Sequence, residues 1–180
     1  FNEYTIEVIH SGLPIIFIDT PNNTAITTKE TWVENAKIKI VGIDGKILHD
    51  GTTSIKGRGN STWWKFPKKP YLLKLDKKAE ILGMPEHKRW VLLANWIDRT
   101  LMRNRLAFKL SECTEISYTP RCEYVELVLN GKHVGNYLLT EQIRIDKNRL
   151  NIHELSELDE DISGGYLMEL DKYYDEFYKF

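Results

Sequence analysis

The sequence predicts an α+β fold, a largely antiparallel sheet with one main helix. Two turn signals, Asp44-Gly45 and Asn130-Gly131, each stand between short runs of alternating apolar residues, which is the pattern of a β-hairpin. A single stretch of helical periodicity lies between them, with Met102, Leu106, Leu110 and Cys113 on one stripe. The other apolar runs are short and bounded by Gly, Pro, Asn or Asp, as strands are.

Taken in order, Leu13 to Asp19 is a short apolar run ending at a turn and reads as a buried strand. Residues 36–42 alternate around Lys and Ile, and Asp44-Gly45 turns the chain into Lys46-Ile47-Leu48. Gly51 to Lys56 continues extended, and Tyr71 to Leu75 is a further strand. After the apolar run Trp90 to Ala94, Asp98 is placed to cap a helix over 99–113, its stripe widened by Leu101 and Ala107. Cys122 to Leu129 and Lys132 to Thr140 flank the Asn130-Gly131 turn. Beyond Glu141 the chain becomes polar, then acidic over 154–161. A last extended piece, Gly164 to Asp171, leads to an aromatic and charged tail ending at Phe180.

Length and composition bound the class of protein. At 180 residues, with 42% hydrophobic and 28% charged residues, the chain suits a single globular domain with a real core. A net charge of −1 argues against bulk attraction to nucleic acid or membrane. No apolar run reaches the roughly 20 residues of a membrane helix. The five histidines are far apart and lack metal-binding spacing. Cys113 and Cys122 fall where either a disulfide or two free thiols would fit.

Residues 56–75 carry the most chemistry. Arg58 sits between Gly57 and Gly59, followed by Asn60, Ser61 and Thr62, then Trp63-Trp64, the basic corner Lys68-Lys69-Pro70, and a strand bearing Lys74. Glycines let backbone N–H groups turn toward an anion, and Arg and Lys supply positive charge. The segment reads either as a phosphate cradle or as a tight basic turn between strands.

Longer motifs surround it. They include Arg58-Gly59-Asn60-Ser61-Thr62-Trp63, Lys69-Pro70-Tyr71, Leu73-Lys74-Leu75, Trp90 to Asn95, Asp98-Arg99 and Arg103-Asn104. Further on come Tyr118 to Arg121, Val125-Glu126, Gly135 to Gln142 and Gly164 to Leu167. In these the chain resembles the CotH family of spore-coat-type atypical protein kinases, from about Leu13 to Asp171. The resemblance implies a kinase-like small lobe that binds ATP with Mg2+, as part of an enzyme phosphorylating Ser/Thr hydroxyls of a coat or surface protein. It implies a spore-coat, cell-surface or extracellular location.

By that resemblance, Arg58, Asn60, Ser61, Lys69 and Lys74 hold phosphate, and Thr140-Glu141-Gln142 forms a connector beside the adenine. The helix carries no carboxylate over 99–111, so Glu126 or Glu141 is expected to pair with Lys74 or Lys69. The carboxylates that orient the acceptor and hold metal are expected in a C-terminal lobe that this chain lacks, leaving the fragment inactive by itself. Two other functions remain open: a carbohydrate-binding or adhesion module using Trp63, Trp64, Trp96 and the Tyr173-Tyr174 tail, and a non-catalytic scaffold of the same fold.

Overall fold

The computed structural model describes residues 11–156, 158, 160 and 162–168. The chain divides into two compact units, Phe1–Gln142 and Ile143–Phe180. In the first, seven strands close into a barrel: β1 (Ile15–Asp19), β2 (Val33–Val41), β3 (Ile47–Gly57), β4 (Tyr71–Ile81), β5 (Met84–Leu93), β6 (Cys122–Leu129) and β7 (Lys132–Glu141). Their order around the barrel is β1-β2-β3-β4-β5-β7-β6.

Local turn chemistry makes the hairpins. Asn130 and Gly131 have φ of 51° and 73°, the two left-handed positions of a type I′ turn, and β6 pairs with β7 from Cys122↔Thr140 to Leu129↔Lys132. Leu82-Gly83 repeats the device between β4 and β5, with φ of 51° and 77°. Along each strand alternate residues point inward, so Leu73 and Leu75 are buried while Lys74 is exposed.

Closure depends on a pairing that no turn specifies. β1 lies antiparallel to β2 but parallel to β6, in register from Ile15↔Glu126 to Ile18↔Leu129. The Asn130 N–H donates to Ile18 O at 2.8 Å, and Asn130 Oδ1 accepts from Thr20 N at 2.8 Å. The hairpin turn is thereby tied to the end of β1. Ile16, Ile18, Ile38, Leu73, Trp90 and Leu127 fill the interior.

This barrel replaces the predicted α+β lobe with a main helix. Besides a 3-10 turn at Pro21–Asn23, only two short α-helices occur among the described residues, α1 (Ser61–Trp64) and α2 (Arg103–Ser111). The predicted helix over 99–113 begins later, and none of the residues of α2 is buried. Its stripe is open to solvent, with Met102, Leu106 and Leu110 at 62%, 54% and 60% exposure. The reason is topological: seven strands closed on one another bury their own inner faces and leave no open sheet face for a helix to cover.

Cys113 is exposed, Cys122 is buried, and both are free thiols. Within the second unit, Ile145 bridges Leu150 in parallel and Leu150 N donates to Arg144 O at 3.1 Å, forming a tight loop. Glu169, Asp171 and the aromatic tail from Tyr173 lie outside the described residues. No helix among the described residues is long and apolar enough to cross a membrane.

Candidate functional site: a cationic pocket at the end of β3, β4 and β5

The turn after β3 is built around Trp63. A Cβ on Gly57 would stand 2.5 Å from the Trp63 ring, so the indole can lie against this backbone only at a glycine. Gly59 has φ of +83°, and a Cβ there would meet Thr62 Oγ1 at 2.3 Å. The two glycines beside Arg58 therefore serve the fold of the turn itself. Trp63 is buried edge-on against Tyr71, with ring centroids 6.4 Å apart. Arg58 N donates to Pro70 O at 3.2 Å, joining the turn to the start of β4.

With its backbone fixed in this way, Arg58 lines a pocket of about 310 Å³ with Thr62, Lys68, Trp96, Asp98 and Arg103. Asn95 and Asn104 complete its polar wall. Three cations, two from opposite ends of the β3–β4 connection and one from the start of α2, thus converge, and Asp98 is the only carboxylate among the lining residues. No carboxylate pairs with the Arg58 guanidinium among the described residues, and burial alone pushes its pKa below the ordinary arginine value. Burial likewise lowers that of Lys68, with Glu126 pulling it partly back. A half-buried guanidinium without a counter-ion is a standing demand for an anion.

The far wall is a constrained loop. Asn95 and Leu101 both adopt positive φ, 49° and 61°, a costly conformation for leucine. Asn104 Nδ2 donates to Asn95 Oδ1 at 2.7 Å, clasping the loop to α2. Asp98 holds the centre: it accepts from Thr100 Oγ1 at 2.6 Å and from Arg103 N at 2.8 Å. The hydrogen bonds from Thr100 and then Arg103 hold its pKa below the usual carboxylate value. Asp98 therefore supports the start of α2 as predicted, but from five residues back rather than from the capping position.

The predicted site residues separate. Asn60 and Ser61 serve local structure: Asn60 O accepts from Trp63 N at 3.0 Å, Asn60 Oδ1 accepts from Lys29 Nζ at 2.9 Å, and Ser61 O accepts from Lys65 N at 2.9 Å. Lys69 donates to Trp63 O at 2.5 Å, and its own carbonyl accepts from Tyr137 Oη at 2.8 Å. Lys74 faces away from the Arg58 pocket, lining a separate groove of about 290 Å³ with Ser54, Asp76 and Lys88.

Neither expected glutamate meets Lys74 or Lys69 in an ion pair of the described residues. Glu126 Oε2 lies 2.8 Å from His133 Nε2. Glu141, with its side chain fully buried, accepts from Arg121 Nη1 at 2.9 Å and from Tyr118 Oη at 2.9 Å. Sequence reasoning assigned phosphate to Arg58 alone among the pocket's residues: Lys68 stood in the basic corner of the same segment, and Asn95, Arg103 and Asn104 in family motifs, without being assigned to the site.

The family model for CotH kinase protein matches residues 55–178, more than half of the chain. The chain belongs to the CotH kinase protein family. Every residue that lines the Arg58 pocket falls within the CotH match, whereas β1 and β2 precede it. A search among curated proteins finds no match.

Proposed function

We propose that this CotH-family chain binds ATP by its polyphosphate in the Arg58 pocket, as the nucleotide-binding part of a kinase that phosphorylates protein Ser/Thr hydroxyls. The observation that carries the reading is the convergence of Arg58, Lys68 and Arg103 on one 310 Å³ pocket, with Arg58 lacking a counter-ion among the described residues. Family membership supports the kinase chemistry. A spore-coat or surface location and a coat- or surface-protein acceptor belong to the same reading.

The three cations would bind, orient and neutralise phosphate oxygens, and the loop carrying Trp96 would shield them from water. Among the described residues no cluster of three or more His, Cys, Asp or Glu could hold a metal ion by itself, so in this reading Mg2+ would enter on the nucleotide's phosphates. The pocket's one carboxylate, Asp98, is already engaged by Thr100 and Arg103. No transfer step is therefore assigned to this pocket.

Titration calorimetry with ATP and with inorganic pyrophosphate tests the proposal. Arg58→Ala is expected to weaken both by about tenfold or more, the scale of one charge-assisted contact. Equal affinity in wild type and Arg58→Ala would overturn it.

A further inference from the structure

Lys68 is held at the pocket wall by neutral groups. Its ammonium donates to Asn136 O and stands 4.4 Å from the centroid of the Tyr137 ring, within the reach of a cation–π contact. Its stem crosses β7 at Gly135, where φ is +102° and a Cβ would meet Lys68 Cε at 4.0 Å. Glu126 lies across the β6–β7 ladder from Asn136, but its carboxylate is 2.8 Å from His133. No carboxylate forms an ion pair with Lys68 among the described residues.

Tyr137 is itself fixed on several sides. It is fully buried, and its hydroxyl donates to Lys69 O at 2.8 Å, tying the ring to the residue beside the one it supports. Its ring centroid is 6.2 Å from that of Tyr71, which in turn meets Trp63 edge-on. A row of three aromatic rings therefore runs from the turn that sets Arg58 to the face under Lys68. A ring face and a carbonyl hold a cation without cancelling its charge, whereas a carboxylate in their place would neutralise it.

Resting on the reading of the Arg58 pocket as an anion site, we infer that Tyr137 is a positioning residue, whose ring holds the Lys68 ammonium at the pocket wall with its charge left for the anion. A lysine stem is flexible, and ordering it only when the anion arrives costs affinity. The ring does that ordering beforehand, so the effect of Tyr137 on binding passes through Lys68.

Titration calorimetry with inorganic pyrophosphate at one fixed pH tests the inference. Tyr137→Phe keeps the ring face and is expected to bind within about twofold of wild type. Stepwise fluorination of that phenylalanine preserves its shape while draining negative charge from the ring face. It should weaken pyrophosphate by about three- to tenfold across the series, the scale of one cation–π contact. In Lys68→Met the same series should leave the remaining affinity unchanged, a distinction that a ring serving only the core would not make. Thermal melts check that each variant is folded.

An affinity that ignores fluorination, or follows it equally in Lys68→Met, with binding still lost in Arg58→Ala, overturns the inference and leaves the pocket standing. Pyrophosphate binding that Arg58→Ala does not change removes the pocket and the inference with it.

Discussion

The Trp63 indole lies flush on the backbone of Gly57, at a distance where a single added methyl group would stand 2.5 Å from the ring. This contact fixes where β3 ends and therefore where Arg58 begins. Gly57→Ala is expected to push Trp63 off Tyr71 and destabilise the barrel by about 1–3 kcal/mol, the range for overpacked cores. Urea denaturation checks it, and a variant as stable as wild type would show that the turn can re-form around a displaced ring.

Glu141 depends on the segment before β6 for its partners, Tyr118 and Arg121. Arg121→Ala removes the cation from a carboxylate with no solvent exposure. The expected loss is about 2–4 kcal/mol, near the lower part of the range for a broken buried pair because Arg121 itself is half exposed. Replacing both residues, Arg121→Met with Glu141→Leu, should recover much of that loss. A double variant no better than the single would refute the buried-pair account.

Asp98 links the stability of the α2 loop to acid. Its folded pKa is depressed, first by Thr100 and then by Arg103. Its stabilisation is therefore fully present above the unfolded value near 3.9 and lost as pH falls through the lower folded value. Melting temperatures measured between about pH 2 and 6 should show a shallower acid loss in Asp98→Asn than in wild type. Parallel curves for the two would sink the assignment.

Binding should distinguish the two grooves. Arg58→Ala and Lys68→Ala are expected to weaken pyrophosphate by about tenfold each, whereas Lys74→Ala, in the separate groove lined by Ser54, Asp76 and Lys88, should leave its affinity within about twofold. A loss in Lys74→Ala as large as in Arg58→Ala would mean that phosphate spans both grooves.

The sequence determined whatever depends on neighbours along the chain. Asn130-Gly131 specified its hairpin because two successive left-handed residues favour that turn. Gly57 and Gly59 marked a turn because side chains there would collide with Trp63 and Thr62. Asp98 marked the approach to a helix because its carboxylate takes backbone N–H groups within five residues.

Only the tertiary structure decided the rest. The parallel pairing of β1 with β6 joins residues more than a hundred positions apart, and no turn type encodes it. That pairing made a closed barrel where a largely antiparallel sheet with one main helix was expected, and left the stripe of α2 in solvent instead of against a sheet. It also divided the candidate ligand residues. Arg58 and Lys74 are only sixteen positions apart in sequence, yet Arg58 stands in the turn after β3 while Lys74 lies inside β4 opposite Ser54, and the two line different grooves. Lys68 and Arg103, from segments before β4 and after β5, come to Arg58 because all three elements end at the same rim. Spacing along a chain can show that an arginine sits in a turn, but which charges share its pocket is set by how the strands close.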